Sequence, residues 1–253
     1  MPTDIKDQGK APVTGNQFSD VRNERYLQGV FRSLGAGDGS LLNALALSDS
    51  RFPPNRPLIQ EGEIGTCIFR IVSGWAYQYR TTHGRRQIVD FLLPGEIAGL
   101  EGALLGLTEH SVRALTELRV TVFDGRLAHN SFRAAPELAL RLGRHIAAQA
   151  CRIGELLATI GCCDAIERLA FLMLSLYRRQ ARRGEATSPL QCWFPLRRRH
   201  MAETLSMTGA HINRTLNQLR REGIAAVENE RLIIQDFSRL ARIAGGAAAA
   251  SVP

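Results

Sequence analysis

Between Pro57 and Asp124 short apolar runs alternate with turn residues: Pro57-Leu58-Ile59, then Glu61-Gly62-Glu63, then Cys67 to Val72, then Ser73-Gly74. Trp75, Tyr77 and Tyr79 alternate with smaller or polar neighbours, Thr82-His83-Gly84 leads into Gln87 to Leu92, and Pro94-Gly95-Glu96 turns the chain again. Closely spaced short strands with glycine turns predict an antiparallel sandwich or barrel. After Asn130 the period becomes helical. Leu142, Ile146, Gln149, Ile153, Leu156, Ile160 and Cys163 are separated by 4, 3, 4, 3, 4 and 3 residues, with Gln149 the plainly polar member. Such a stripe serves either a helix packed on its own domain or a helix paired with a second copy. Its regularity, between a β-domain and a basic region, predicts a dimer seam. Asp164 to Tyr177 predicts a further helix, and the polar, Arg-rich stretch from Arg178 to Cys192 a connection. Ahead of the strands, Glu24 to Leu47 reads as one or two short helices interrupted by Gly35, Gly37 and Gly39, behind a loose polar tail over residues 1–23.

The segment from Phe194 to Asp236 has a different character. Met201, Ala202 and Leu205 form the apolar side of a short helix, Ser206-Met207 make a tight connection, and Thr208 is suited to cap a second helix. In that helix Ile212, Leu216 and Leu219 repeat at helical spacing, whereas His211, Asn213, Arg214 and Asn217 fall off the stripe. Gly209 and Ala210 leave its start uncrowded, and a polar face opening on small residues can enter a DNA major groove. Ile224 to Val227 and Leu232 to Ile234, around Glu228-Asn229-Glu230-Arg231, predict a β-hairpin wing.

Charge agrees with this division. From Met1 to Asn130, 14 Lys and Arg balance 14 Asp and Glu; from Ser131 to Pro253, 18 Arg stand against 10 Asp and Glu, so the net charge of +8 lies in the C-terminal half. A basic half fits a polyanion, nucleic acid or an anionic membrane surface, and its arginine forks suit phosphate and guanine. No stretch approaches the about eighteen apolar residues of a membrane helix. The first ten residues (MPTDIKDQGK) lack an apolar signal core, and five cysteines at irregular spacing fit a reduced compartment. A cytoplasmic location is therefore expected.

Across roughly residues 50–240 the chain resembles transcription regulators of the Crp/Fnr family, on three parts in order: the glycine-punctuated roll, the long helix, and a second helix bearing Ile212-Asn213-Arg214-Thr215-Leu216. The resemblance implies an α+β chain: a cyclic-nucleotide-binding-like β-roll (jelly roll) over 24–136, a dimerisation helix over 137–163, a winged helix-turn-helix over 164–240 and a flexible tail over 241–253. It implies a homodimer that reads double-stranded DNA, touches RNA polymerase in many relatives, and has neither enzymatic activity nor a membrane partner. Arg214 matches the arginine that contacts guanine, with His211, Asn213, Gly209 and Ala210 as further base-facing positions. Arg198 matches a phosphate-contacting position, flanked by Arg197 and Arg199, and Thr208 and Asn217 join them as backbone contacts; the plainer alternative for the arginine run is a solvated helix end. Two departures stand out. Ala210 replaces a glutamate that reads cytosine in many relatives, which alters the expected operator, and Ser206 replaces the usual turn glycine.

The effector question is answered by departures as well. Pro94 to Gly99 fits the family's loop and, with the stretch to Leu115, is closer to the Fnr and FixK branches. Leu100 nevertheless stands where nucleotide-binding members place a ribose-binding glutamate, and His110-Ser111 where they place Arg-Ser. A cyclic phosphate without its arginine is poorly held, so cyclic AMP is not expected; Gly99, Leu100, Glu101, His110, Ser111 and Arg113 mark the candidate pocket, Arg113 as the substitute cation. With no cysteine before Cys67, an Fnr-type iron–sulfur cluster is excluded. Cys162 and Cys163 are candidate redox thiols, the alternative being that they serve as small hydrophobes. His83, His110 and His129 supply no close pair for a cupin-like metal centre, haem held by a single histidine stays open as a weaker option, no cofactor is assigned, and a signalling adaptor with a protein-binding basic half is the remaining alternative.

Overall fold

A computed structural model describes residues 46–126, 136–184 and 190–245. The N-terminal tail, residues 24–45 of the expected helices, His129 and residues 246–253 lie outside the described residues, while Ala241 to Ile243 of the expected C-terminal tail are helical. Eight strands build the N-terminal half: β1 (Ala46–Phe52), β2 (Pro57–Ile59), β3 (Cys67–Ser73), β4 (Ala76–Thr82), β5 (Arg85–Leu92), β6 (Ile97–Ala98), β7 (Ser111–Ala114) and β8 (Leu118–Asp124). They pair antiparallel into two four-stranded sheets, ordered β1-β8-β3-β6 and β2-β7-β4-β5. Leu58, Phe69, Ile71, Leu92, Val112, Leu118, Val120 and Val122 fill the space between them. This is the roll expected from the short apolar runs. Ala46 and Leu47 belong to β1 rather than to a helix, and a short helix α1 (Leu100–Leu105) interrupts the roll after Gly99. Gly99 is needed there: its φ is +82°, and a Cβ would lie 2.6 Å from the Cys67 carbonyl oxygen.

The long helix α2 (Pro136–Cys162) is followed without a loop of any length by α3 (Ala165–Ala181). Asp164 makes the reversal by capping α3. Its carboxylate accepts the N–H groups of Ile166 and Glu167, while Glu167 accepts the Asp164 N–H at 2.7 Å, a complete capping box. Cys163 therefore sits in the turn and not on the helical seam. Helix α3 runs four residues beyond Tyr177, and the predicted connection ends in a strand, β9 (Gln191–Trp193).

The C-terminal unit holds α4 (Arg198–Leu205), α5 (Gly209–Arg221), β10 (Ala225–Glu228), β11 (Arg231–Ile234) and α6 (Phe237–Ile243). The wing is a three-stranded sheet, β10-β11-β9, one strand more than the expected hairpin. Its tip turns on Asn229 and Glu230, both at positive φ, as a two-residue hairpin loop with right-handed twist requires. An apolar cluster joins this unit to the roll: Trp75, just before β4, and Tyr77, Tyr79, Ile88 and Phe91 from the outer face of β4 and β5 pack with Leu156, Leu169, Met173, Leu174, Phe194, Met201 and Leu205. Sheet β2-β7-β4-β5 is thus covered on both faces, which explains why β5 ends in consecutive buried residues rather than an alternating pattern. Among the described residues no helix is long and apolar enough to cross a membrane.

Candidate nucleic-acid interface

Helix α5 follows α4 through Ser206, which takes the left-handed conformation (φ 53°, ψ 44°) usually given to glycine. Thr208 caps α5 by accepting the His211 N–H at 3.2 Å. Ile212, Thr215 and Leu219 turn inward and are buried, so the opposite face is fixed outward by packing alone. Ala210, Arg214, Asn217 and Arg221 share that exposed face at separations of 4, 3 and 4 residues, with Gly209 and His211 exposed at its start. Arg221 extends the expected set; its position at the same helical spacing was the available signal. Asn213 departs from expectation. It is half-buried, and its side-chain oxygen is buried without a hydrogen-bond partner, so it is turned away from the base-facing stripe.

Arg197, Arg198 and Arg199 open α4 and are exposed, presenting three cations beside the outward face of α5. Arg199 is also engaged within the chain: one guanidinium nitrogen donates to Asn55 Oδ1 at 3.1 Å, and its Nε lies 3.1 Å from His200 Nε2. His200 is buried at 3% exposure; its Nδ1 accepts the Arg197 N–H at 3.1 Å, and its ring lies 5.6 Å from that of Tyr77 on β4. Burial, aided by the charges of Arg199, Arg197 and Arg86, lowers its pKa to about 4. Around this contact Gln87 of β5 donates to the Thr204 carbonyl at 2.8 Å and accepts the Ser206 hydroxyl at 2.9 Å, and Arg86 stands 3.9 Å from Glu203. The hydroxyl at position 206 therefore has a partner on the roll that glycine would lack.

The expected dimer seam is divided. Leu142 and Leu156 are buried at 4% and 8% exposure against their own chain, and Gln149 donates to Gln78 of β4 at 2.6 Å. A buried polar side chain needs a hydrogen-bond partner, and the roll supplies it. Ile146, Ile153 and Ile160 instead fall on a second stripe with Gly143, Ala150 and Leu157, at separations of 3, 4, 3, 4 and 3; Leu157 is 70% exposed. The apolar repeat thus specified the helix, but Leu142, Gln149 and Leu156 of it are taken up by the chain's own roll and helices.

The candidate effector residues are largely engaged with other residues of the chain, and only Glu101 and His110 meet one another. Leu100, at 3% exposure, packs with Ile68, Phe123, Leu138 and Leu142. Glu101 accepts from Gln78 at 3.2 Å and lies 3.8 Å from His110 Nδ1. Ser111 accepts the Glu61 N–H at 3.0 Å, while Arg113 donates to the Asn55 carbonyl at 2.8 Å and to Tyr79 at 3.4 Å. Among the cysteines Cys162 is exposed and Cys163 half-buried; burial, Glu167 and Cys162 raise the Cys163 pKa, which keeps it a thiol and lowers its reactivity. Among the described residues no three His, Cys, Asp or Glu side chains are gathered as a metal site.

Sequence reasoning missed the ionic joint between roll and helices. Asp90 of β5, at 6% exposure, accepts from Arg152 of α2 at 2.7 Å and from Arg179 of α3 at 3.1 Å; Arg179 also donates to Glu96 at 2.6 Å, and Arg183 lies 3.3 Å from Glu96. Burial alone would raise the Glu96 pKa, but Arg179, Arg152, the Leu93 N–H and Arg183 outweigh it and hold the carboxyl below its ordinary range. The signal was a lone aspartate inside the apolar run from Ile88 to Leu93.

Comparison with known proteins places these parts. Residues 49–132 match the cyclic nucleotide-binding domain model, and residues 167–243 the Crp-like helix-turn-helix domain model. The transcriptional activator protein FnrL of Cereibacter sphaeroides is 28% identical over 198 residues, covering 77% of this chain and 79% of that protein. The nitrogen fixation regulation protein FixK of Rhizobium meliloti is 29% identical over 185 residues, covering 72% and 80%. In fold, the chain is similar to FixK2 from Bradyrhizobium japonicum (TM-score 0.70, 22% identity, 78% of this chain and 96% of that one) and to CooA from Carboxydothermus hydrogenoformans (TM-score 0.66, 17% identity, 85% and 95%). The named relatives are regulators rather than enzymes.

Proposed function

The chain belongs to the Crp/Fnr family of DNA-binding transcription regulators, and from that premise we propose that it acts as a homodimer on a two-fold symmetric operator, with α5 of each copy in successive major grooves. The observation that carries this reading is the outward face of α5, where small residues at the helix start lead to Arg214, Asn217 and Arg221 beside the three arginines of α4. Arg214 is the principal base reader, its planar fork matching the two acceptors of guanine. Arg197 and Arg198, with the start of α5 at Thr208, hold the phosphate backbone. Ala210 has no hydrogen-bonding group, so the base pair it faces is read weakly or through its shape. The roll carries the signal, if any, to the reading head through β4, β5 and α4. Leu100 in the core and Arg113 bound to Tyr79 and Asn55 leave no purchase for a cyclic nucleotide in this reading.

Selection of bound duplexes from a random pool tests the proposal. A symmetric motif, with half-sites about one helical turn (roughly 34 Å) apart, is the expected result; no enriched motif would overturn it. Against the selected duplex, Arg214→Ala should cost about 1–3 kcal/mol and relax one base pair in each half-site. Arg198→Ala should weaken all sequences alike and reduce the salt slope by about one. Equal losses on all sequences for Arg214→Ala would remove it from base reading.

The copies meet, in this proposal, along Gly143, Ile146, Ala150, Ile153 and Leu157 of α2, with Ile160, which also packs on its own core, at the end of the stripe. Leu157→Glu should convert the dimer to monomer in sedimentation while leaving thermal stability of the monomer nearly unchanged, because the side chain is exposed in the single chain. A Leu157→Glu protein that still sediments as a dimer would put the seam elsewhere.

A further inference from the structure

Helices α2 and α3 flank a half-open pocket of about 580 Å³, to whose lining Ala244 and Gly245 also contribute. Its volume falls within the roughly 300–1,000 Å³ of small-molecule sites. It lies apart from the β-roll residues marked above as the candidate effector pocket. Ala148 and Ala158 of α2 and Phe171 and Leu174 of α3 give it an apolar lining. Four arginines also line it, and they fall into two classes. Arg152 and Arg179 are committed to Asp90 and Glu96. Arg178 of α3 and Arg182, one turn on at its C-cap, have no such partner among the described residues, and two guanidinium nitrogens of Arg178 (Nε and one terminal nitrogen) are buried without a hydrogen bond.

Leaving buried donors of a cation unpaired costs more than leaving neutral ones unpaired, and two like charges at i and i+4 repel. The one carboxylate lining the pocket is Glu155. With Arg152 and Arg179 neutralised by their own partners, Arg178, Arg182 and Glu155 leave the pocket with a net single positive charge. That balance matches a monoanion better than a doubly charged phosphate.

We propose that this pocket binds a small organic monocarboxylate, its apolar body against Phe171 and Leu174 and its carboxylate accepting from Arg178 and Arg182. An arginine fork and a planar carboxylate pair bidentately. The pocket lies between the two helices that the reversal at Cys163-Asp164 joins, along Ala148 to Thr159 of one and Phe171 to Arg182 at the end of the other. A ligand clamped there fixes the angle between α2 and α3; this consequence rests on the DNA-reading proposal, whereas occupancy of the pocket does not.

Calorimetric titration of the full chain with benzoate and hexanoate, against inorganic phosphate and benzylamine, tests the site. Saturable binding of one ligand per chain is expected for at least one carboxylate and for neither control. Arg178→Met should weaken it roughly tenfold or more, from loss of a charged hydrogen bond, and Ser175→Trp, which fills the pocket, should abolish it. Occupancy should also slow alkylation of Cys151, which lines the pocket and is exposed, without slowing that of Cys162. The alkylation readout needs no variant and so survives a misfolded Arg178→Met. No saturable carboxylate binding, binding indifferent to both substitutions, phosphate or benzylamine bound as tightly as the carboxylates, or equal protection of both cysteines would each overturn the proposal.

Discussion

Asp90→Ala should destabilise the protein by about 3–5 kcal/mol, the expected cost of removing one partner from a buried ion pair. The reason is the burial of what it leaves behind. The Arg152 and Arg179 side chains are only 18% and 13% exposed, and Asp90 supplies acceptors to both. Arg179 retains Glu96 and the Phe91 carbonyl, but Arg152 loses the carboxylate it is paired with. Because the three residues come from β5, α2 and α3, the loss falls on the joint between the roll and the helices rather than on one element. For a protein of this size it corresponds to a fall in Tm of roughly 6–20 °C. A double-mutant cycle separates this account from simple loss of packing. Arg152→Met should cost less in the Asp90→Ala background than in the wild type, since the stranded charge is then absent. Additive costs would mean that the pair is not coupled.

That joint also marks where the sequence stops being legible. The roll could be read from its turns, because Gly and Pro punctuate the chain where a reversal is required, and the reading head from the small, polar and apolar positions of α5. Strand β1 could not: Ala46–Phe52 reads ALSDSRF, and its side chains are mostly half-buried at the edge of a sheet, so no apolar alternation marks it. Strand β9 has three residues, too few for any period, and exists because β11 offers it a free edge. The long helix shows a different limit. A repeat of 3.5 residues specifies an apolar band but not which surface covers it, and this band is wide enough to serve two. Leu142, Gln149 and Leu156 meet the roll, Ile160 packs at the edge of the same core, and Ile146 is exposed with Ile153 half-buried. Only the partners on β4, in particular Gln78 opposite Gln149, decide that division. Asp90 is legible as an anomaly but not as a joint, since its two arginines lie 62 and 89 residues away.

Acid should separate the two halves before it titrates their carboxylates. The folded pKa of His200, lowered to about 4, lies well below the ordinary value of 6.5, so between the two the unfolded chain binds more protons and stability falls as the pH is lowered. The full effect of the shift is about 3 kcal/mol, complete only below the folded pKa, with most of it lost by about pH 4.5. Glu96, whose pKa is also depressed, contributes stability that is lost below its unfolded value of about 4.3, so the two windows barely overlap. A proton on His200 would add a charge beside Arg197, Arg199 and Arg86, against Tyr77 and at the contact where Gln87 meets Thr204 and Ser206. The urea midpoint should therefore drop between pH 6.5 and 4.5, and amide exchange should accelerate first in α4 and β5. His200→Gln keeps an acceptor for the Arg197 N–H and removes its titration; it should reduce the pH dependence over that interval, leaving the part due to His145, whose pKa burial also lowers. An unchanged slope in that variant would assign the acid sensitivity to another group and leave the α4 contact indifferent to pH.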